Sequence, residues 1–177
     1  MGTVRDATAA DAAACAVLYT PYVTDTVVTF ETEPPTADQM ADRMAAAQRR
    51  HAWLVLEDDG AVVGYAYAGP YKERAAYRWS CEVSVYLERG RRRTGGGRAL
   101  YEALLARLAD RGFRTAVACM TLPNTASEGL HRALGFEPVG IYRRIGWKHG
   151  AWYDVAGMQR ALTAGNESPD DPPAEPS

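Results

Sequence analysis

Apolar positions along the chain fall into alternating helix-like and strand-like blocks, the pattern of a mixed α/β domain. Val4 sits in a short first strand, and Ala12 to Tyr19 reads as a helix. Pro34 and Pro35 precede Thr36, with Gln39 three residues on, a capping box for a second helix carrying Met40, Met44 and Ala47 on one side. Trp53 to Glu57 and Val62 to Ala68 are β-rich runs, and the intervening Asp58-Asp59-Gly60 favours an antiparallel hairpin. Another strand follows from Ser80 to Leu87. Leu100, Leu104 and Leu108 then recur every four residues in a helix closed by Gly112, and Thr115 to Met120 is a buried strand. Asn124 caps a further helix that runs to Leu134 and stops at Gly135, leaving Phe136 to open an extended segment. Tyr142 to Lys148 and Trp152 to Met158 flank His149-Gly150, a second hairpin signal. The order is one strand, two helices, three strands, a helix, a strand, a helix and two strands.

A length of 177 residues with 47% hydrophobic residues fits one domain with a sizeable core. That domain is assigned to residues 1–163. Ala164 to Ser177 is acidic and proline-rich with nothing aliphatic larger than alanine, so a disordered tail is expected there. Net charge is -2, and no segment interleaves basic and aromatic residues as a nucleic-acid groove would, so nucleic acid is not an expected partner. Cys15, Cys81 and Cys119 are too few and too widely spaced for a disulfide framework or a metal site, and each is expected in the core. The first residues match neither a signal peptide nor a membrane span, which leads to the expectation of a cytoplasmic protein without membrane association.

The most informative local feature is Arg92-Arg93-Thr94-Gly95-Gly96-Gly97 between a strand and a helix. Successive backbone N–H groups there can point at one anion, the helix dipole adds to the attraction, and glycines permit close approach. Arg89, Arg91, Arg92, Arg93 and Arg98 crowd the same turn, as a phosphate-rich ligand would require. The alternative is an arginine-rich connection of purely structural use. The turn lacks the Lys-Ser or Lys-Thr of a Walker loop and the first glycine of a dinucleotide fingerprint, which weighs against nucleotide hydrolysis and hydride transfer.

Arg92-x-x-Gly95-x-Gly97 after Val83-Ser84-Val85-Tyr86-Leu87, with Asn124 and Leu134-Gly135-Phe136 downstream, resembles the GNAT superfamily of N-acetyltransferases. More narrowly, Tyr67-Ala68-Gly69-Pro70-Tyr71-Lys72, Ala76-Tyr77-Arg78-Trp79, Arg93-Thr94-Gly95, Leu122-Pro123-Asn124 and Lys148-His149-Gly150 are similar to phosphinothricin N-acetyltransferases. The resemblance implies an α/β (α+β) fold: a mixed, mostly antiparallel sheet of about seven strands, helices on both faces and a splayed central strand pair. It implies acetyl-CoA as acetyl donor, held by Val85, Tyr86, Leu87, Arg92, Arg93, Thr94, Gly95, Gly96, Gly97, Arg98 and Asn124, with backbone N–H groups near Leu87 facing the thioester oxygen. It implies a small-molecule amino acid acceptor and a homodimer, and it implies no metal.

An amine attacking a thioester must first lose a proton, and Glu82 is the leading candidate to accept it. Glu82, Ser84 and Tyr86 share one face of their strand while Val83, Val85 and Leu87 share the other, so the polar face lines a cleft or meets solvent. The resemblance favours the cleft, because relatives carry a glutamate at the matching place as proton acceptor. His131, one turn after Ser127, either looks into the same cleft or is structural. The narrower family has histidine there, where the wider superfamily often has a thiolate-protonating tyrosine, so the resemblance allows an acid or a second base. Lys72, Arg74 and Tyr77 are either solvated loop residues or a carboxylate and phosphinate site, and they match the family's substrate loop. Phe30 covers the substrate's aliphatic part or belongs to the core, and Ser84 and Tyr86 add polar contacts. Arg78, where relatives often have an acid, and Thr121, where some have glycine, depart from the pattern. The expected activity is acetylation of L-phosphinothricin or its demethyl form, hence detoxification. Methionine sulfoximine or sulfone is the near alternative acceptor, and a non-catalytic coenzyme A-binding module is the alternative of a different class.

Overall fold

At both predicted hairpins two successive residues take positive φ, Asp59 and Gly60 at 51° and 77° and His149 and Gly150 at 49° and 76°. This left-handed pair matches the twist of antiparallel strands and fixes their register. The computed structural model describes residues 2–91 and 94–162; the expected tail, and Arg92 and Arg93, lie outside the described residues. The strands are β1 (Thr3–Asp6), β2 (Trp53–Asp58), β3 (Ala61–Pro70), β4 (Ser80–Leu87), β5 (Thr115–Thr121), β6 (Glu137–Lys148) and β7 (Ala151–Ala161). The helices are α1 (Ala12–Asp25), α2 (Ala37–Arg50), α3 (Gly96–Asp110) and α4 (Thr125–Ala133), with short 3₁₀ turns before α1 and before β4.

One seven-stranded sheet runs in the order β1-β2-β3-β4-β5-β7-β6. Every neighbouring pair is antiparallel except β4 and β5, which are parallel. Their pairing is confined to Ser80 with Thr115, Cys81 with Ala116 and Glu82 with Val117, after which the strands part. The mixed, mostly antiparallel sheet with a splayed central pair agrees with the expectation from sequence.

Each sheet face has its own core. Leu100, Leu104 and Leu108 of α3 are fully buried against Leu54, Ala66, Val83 and Ala116, each side chain contributing about 1.5–3 kcal/mol by leaving water. On the other face Met40, Met44 and Ala47 of α2 join Cys15, Tyr19 and Val23 of α1 over Trp53, Val55 and Tyr65. The capping box forms as expected: the Gln39 N–H donates to Thr36 Oγ1 (3.2 Å) and the Thr36 N–H to Gln39 Oε1 (2.9 Å).

Three local expectations need correction. Helix α1 does not end at Tyr19 but continues through Pro21 to Asp25. Proline removes one helical N–H, but Val17, whose carbonyl loses that partner, is 74% exposed, and the extra turn buries Val23. Phe136 and Tyr142 do not open separate extended segments. A single strand, β6, runs from Glu137 to Lys148 with register shifts after Pro138 and Tyr142. The Arg144 N–H donates to Asp154 at 2.7 Å in the second irregularity. Cys15 and Cys81 are buried, but Cys119 is exposed, because it lies on β5 beyond the point where β4 stops covering it.

Met44 is 1% exposed at the contact of α2 with the sheet. Met44→Ala should destabilise the fold by about 2–5 kcal/mol, seen in urea denaturation as a lower midpoint with an unchanged slope.

Candidate active site

Helix α3 begins at the glycine turn. Gly95 holds φ of 81° as its N-cap, and the first helical bond runs from the Ala99 N–H to the Gly95 carbonyl (2.9 Å). The N–H groups of Gly96, Gly97 and Arg98 therefore have no partner within the helix and stand at its positive end. A Cβ on Gly96 would lie 2.7 Å from Leu56, so this glycine also sets how closely α3 meets the sheet. Thr94 is exposed beside the turn. The arginines are less free than their clustering implies: Arg89 pairs with Asp25 (2.9 Å), Arg91 with both Glu88 and Asp58 (2.7 Å each), and Arg98 with Glu102 (2.7 Å). Arg89 and Arg91 thus tie the strand end to the body. The fit to a pyrophosphate rests on the amides left without a partner in the helix and on the glycine surface.

Below this turn lies the gap between β4 and β5. The Glu88 N–H bonds to Val63 of β3, so by strict alternation the backbone groups of Val83, Val85 and Leu87 face the gap. The Tyr101 hydroxyl of α3 lies 3.4 Å from the Val83 carbonyl, and Tyr22 of α1 donates to the Leu87 carbonyl (2.6 Å). Val85 is left with N–H and C=O turned toward a slot of about 50 Å³, whose lining includes Ser84, Tyr86, Asn124, His131 and Val28. An open strand edge of this kind suits the amides of a pantetheine arm. Asn124 also caps α4, accepting from the Ser127 N–H at 3.2 Å. Tyr86 adds an aromatic wall, its ring edge-on to Tyr19 and Tyr22 at 4.8 and 5.1 Å.

A larger cavity of about 700 Å³ adjoins the slot, with Cys119 lining both. Glu82, Lys72, Tyr71 and Tyr77 line it on one side, and Val139, Ile141, Tyr142 and Ile145 of β6 on the other. Burial raises the Glu82 carboxyl above its usual pKa, and the Lys72 ammonium partly opposes that shift. A carboxylate so placed is a stronger base than one in water. Ser84, two residues on, faces the slot, so this one strand face spans both compartments.

Not every expected residue gathers here. Arg74 is exposed at the start of the 3₁₀ turn Ala75–Tyr77, outside the lining of the cavity. Phe30 lies against Gly146 of β6, where a methyl group would overlap its ring. The Arg78 guanidinium stacks 4.9 Å over Trp79 and donates to the Ala75 carbonyl, and Thr121 is buried. Elsewhere, a groove of about 530 Å³ lies over Trp53, Tyr65 and Tyr67. Its one imidazole, His51, stacks on Phe113 with its pKa pushed down to about 4, chiefly by burial, so it offers no base as strong as Glu82 beside an open strand edge.

His131 is 3% exposed. Its Nδ1 lies 2.7 Å from the Ser127 carbonyl, which can only accept, so Nδ1 carries the proton. Nε2 then accepts from the Tyr101 hydroxyl at 3.2 Å. Burial lowers the imidazole pKa, opposed by the Ser127 carbonyl, and the ring is neutral near pH 7. The Cys119 thiol faces the two cavities, where partial desolvation and then the Glu82 charge raise its pKa although the residue as a whole is exposed, and this disfavours a nucleophilic thiolate. Sequence reasoning missed Tyr101, Tyr22 and Val28. The polar tip of Tyr101 within a leucine-rich helix was the one available signal. Among the described residues no group of three or more His, Cys, Asp or Glu side chains is arranged to hold a metal, and no helix is long and apolar enough to cross a membrane.

Comparison with known proteins agrees with this geometry. The family model described as an acetyltransferase (GNAT) domain matches residues 4–156. A phosphinothricin N-acetyltransferase from Streptomyces viridochromogenes is 44% identical over 157 residues, 89% of this chain and 86% of that protein. An L-methionine sulfoximine/L-methionine sulfone acetyltransferase from Pseudomonas paraeruginosa is 35% identical, covering 94% of this chain and 98% of its own length. The crystal structure of a phosphinothricin acetyltransferase from Sinorhizobium meliloti in complex with acetyl-CoA superposes with a TM-score of 0.89 at 41% identity, over 93% of this chain and 90% of that one. The expected non-catalytic alternative gives way: the chain belongs to the GNAT acetyltransferase family and is an acetyl-CoA-dependent N-acetyltransferase of the phosphinothricin acetyltransferase type.

Proposed function

We propose that this chain acetylates the amino group of a small anionic amino acid, L-phosphinothricin or its demethyl form, with Glu82 as general base. The observation that carries the reading is the position of Glu82, desolvated in the wall of the larger cavity and on the same strand face as Ser84 of the slot. The amine proton passes to Glu82, the nitrogen lone pair forms the new C–N bond, and the thioester C–S bond breaks, the thiolate being reprotonated from solvent. Transfer is direct, because the raised Cys119 thiol makes a covalent acyl carrier unfavourable. Lys72 supplies the cation nearest the acceptor's acidic group and Tyr77 a phenol, while Ile141 and Ile145 meet its aliphatic part. Arg74 serves from the outer loop. Methionine sulfoximine and sulfone fit the same chemistry, and the relative named for them favours keeping both in view.

His131 has a positioning role in this scheme. Its only proton is committed to the Ser127 carbonyl and its lone pair to Tyr101, so it neither donates to the thiolate nor competes with Glu82. The free thiols of Cys15, Cys81 and Cys119 suit a reducing cytoplasm, where acetylation would detoxify the amino acid. A homodimer is proposed from β6: this edge strand exposes Val139, Ile141, Ile145 and Trp147, each more than half exposed, a row that a second copy would cover.

Release of free coenzyme A thiol from acetyl-CoA, across phosphinothricin, methionine sulfoximine, ordinary amino acids and a peptide, tests the acceptor. Phosphinothricin should give the highest kcat/KM, and Lys72→Met should raise its KM about tenfold, the loss of one charge-assisted contact. A preference for the peptide would overturn the acceptor class. The acid limb of the kcat/KM profile should lie above the ordinary carboxylate range, with activity falling as pH drops through the raised pKa of Glu82. Glu82→Gln should abolish that limb and lower turnover about 10² to 10⁴-fold with coenzyme A binding retained. In the same profile His131→Gln should leave the alkaline limb in place; its loss would make His131 an acid. Sedimentation at micromolar concentration should give twice the 19.3 kDa chain mass, and a monomer there would remove the dimer.

A further inference from the structure

The connection from α1 to α2, residues 26–36, has no helix or strand of its own, yet it crosses the site. Val28 lines the slot, and Phe30 rests on β6, the strand whose Ile141, Tyr142 and Ile145 wall the larger cavity. Backbone propensity does not account for so definite a path. The ammonium of Lys148 does: its Nζ donates to the Val23 carbonyl at 2.6 Å and to the Thr29 carbonyl at 2.8 Å.

Lys148 is 4% exposed. A buried cation is costly unless hydrogen-bonded, and here one partner is a carbonyl of the last turn of α1, where the helix dipole favours positive charge. The lysine is itself held firmly, because it pairs with Ala151 across the His149-Gly150 turn. Two further contacts act on the same loop. Tyr19 and Thr29 share a hydroxyl hydrogen bond at 2.7 Å, and Gly146, two residues before Lys148, leaves the space that Phe30 fills.

We propose that Lys148 is a positioning residue for the acceptor: bridging the Val23 and Thr29 carbonyls, it binds the α1–α2 loop to the β6–β7 hairpin so that β6, a wall of the larger cavity, keeps one distance from the slot that Val28 lines. The proposal rests on the acceptor reading above only in treating β6 as a wall around the amino acid. Lys148 touches no reacting atom and acts through Val28, Thr29 and Phe30.

Lys148→Met keeps the length and burial of the side chain and removes its donors. It should raise the acceptor KM about tenfold, the effect of losing about one charge-assisted hydrogen bond. The coenzyme A dissociation constant by calorimetry should rise by less than the acceptor KM, since the α3 amides are untouched and Val28 alone of residues 26–36 lines the slot, and the acid limb set by Glu82 should not move. Amide exchange of residues 26–31 should quicken. Gly146→Ala, which displaces Phe30 but leaves Lys148 in place, should reproduce the selective rise in KM, and it carries the test if Lys148→Met does not fold. An unchanged acceptor KM in either folded variant, or equal losses for acceptor and coenzyme A, would overturn the proposal. The acceptor used is whichever amine the unaltered enzyme turns over fastest, so a wrong acceptor identity shows in the unaltered protein and a wrong role for Lys148 only in the variants.

Discussion

The parting of β4 from β5 after three parallel residue pairs is the constraint around which this molecule is built. A sheet interior does not normally leave N–H and C=O groups unpaired, because each orphaned group costs about as much as a lost hydrogen bond. Tyr22 meets part of that demand by donating to the Leu87 carbonyl, and the Tyr101 hydroxyl, whose one proton goes to His131, lies beside the Val83 carbonyl. The groups of Val85 between them remain for a ligand whose arm carries amides. The glycine turn follows the end of β4, with three amides that have no partner within the helix at the start of α3. The proposed path of coenzyme A rests on these two features, a strand edge and a helix end.

The same parting creates the electrostatic contrast between the two compartments. Glu82 is the last residue of β4 paired to β5, close enough to the core to be desolvated yet lining the larger cavity. Cys119 and His131, also at the gap, are driven toward their neutral forms, the partly desolvated thiol upward with a further push from the Glu82 charge and the buried imidazole downward. Desolvation acts on all three with one logic, penalising whichever form is charged. Only the carboxylate thereby becomes a better base near neutral pH.

Charge near the glycine turn shows how far a local reading reaches. Five arginines in ten residues, Arg89 to Arg98, resemble an anion site, and the backbone geometry of the turn would suit one. Yet Arg89 and Arg91 are occupied by Asp25, Glu88 and Asp58, carboxylates from α1, the end of β4 and the β2–β3 turn. Their partners lie up to 64 residues away in sequence. Arg74 is a parallel case, matching a family position while its side chain stays outside the cavity that Lys72 and Tyr77 line.

What the chain determines by itself is local. The capping box at Thr36, the two positive-φ turns, the Leu100 to Leu108 stripe, the Asn124 cap and the two-faced strand from Cys81 to Leu87 all follow from neighbours within a few residues, and all were legible. The polar face that Glu82 shares with Ser84 and Tyr86, and the glycine turn at the start of α3, were legible for the same reason, since alternation and backbone freedom are properties of a short segment. Tertiary structure alone decided that α1 would run through Pro21, that Tyr101 and His131 would satisfy one another, that Cys119 would be uncovered, and that Lys148 would hold carbonyls 119 and 125 residues earlier in the chain. Those outcomes depend on which buried polar groups meet after the two sheet faces are packed. No period of hydrophobicity or turn signal encodes such a meeting, because its cost and its compensation arise only once water has been excluded.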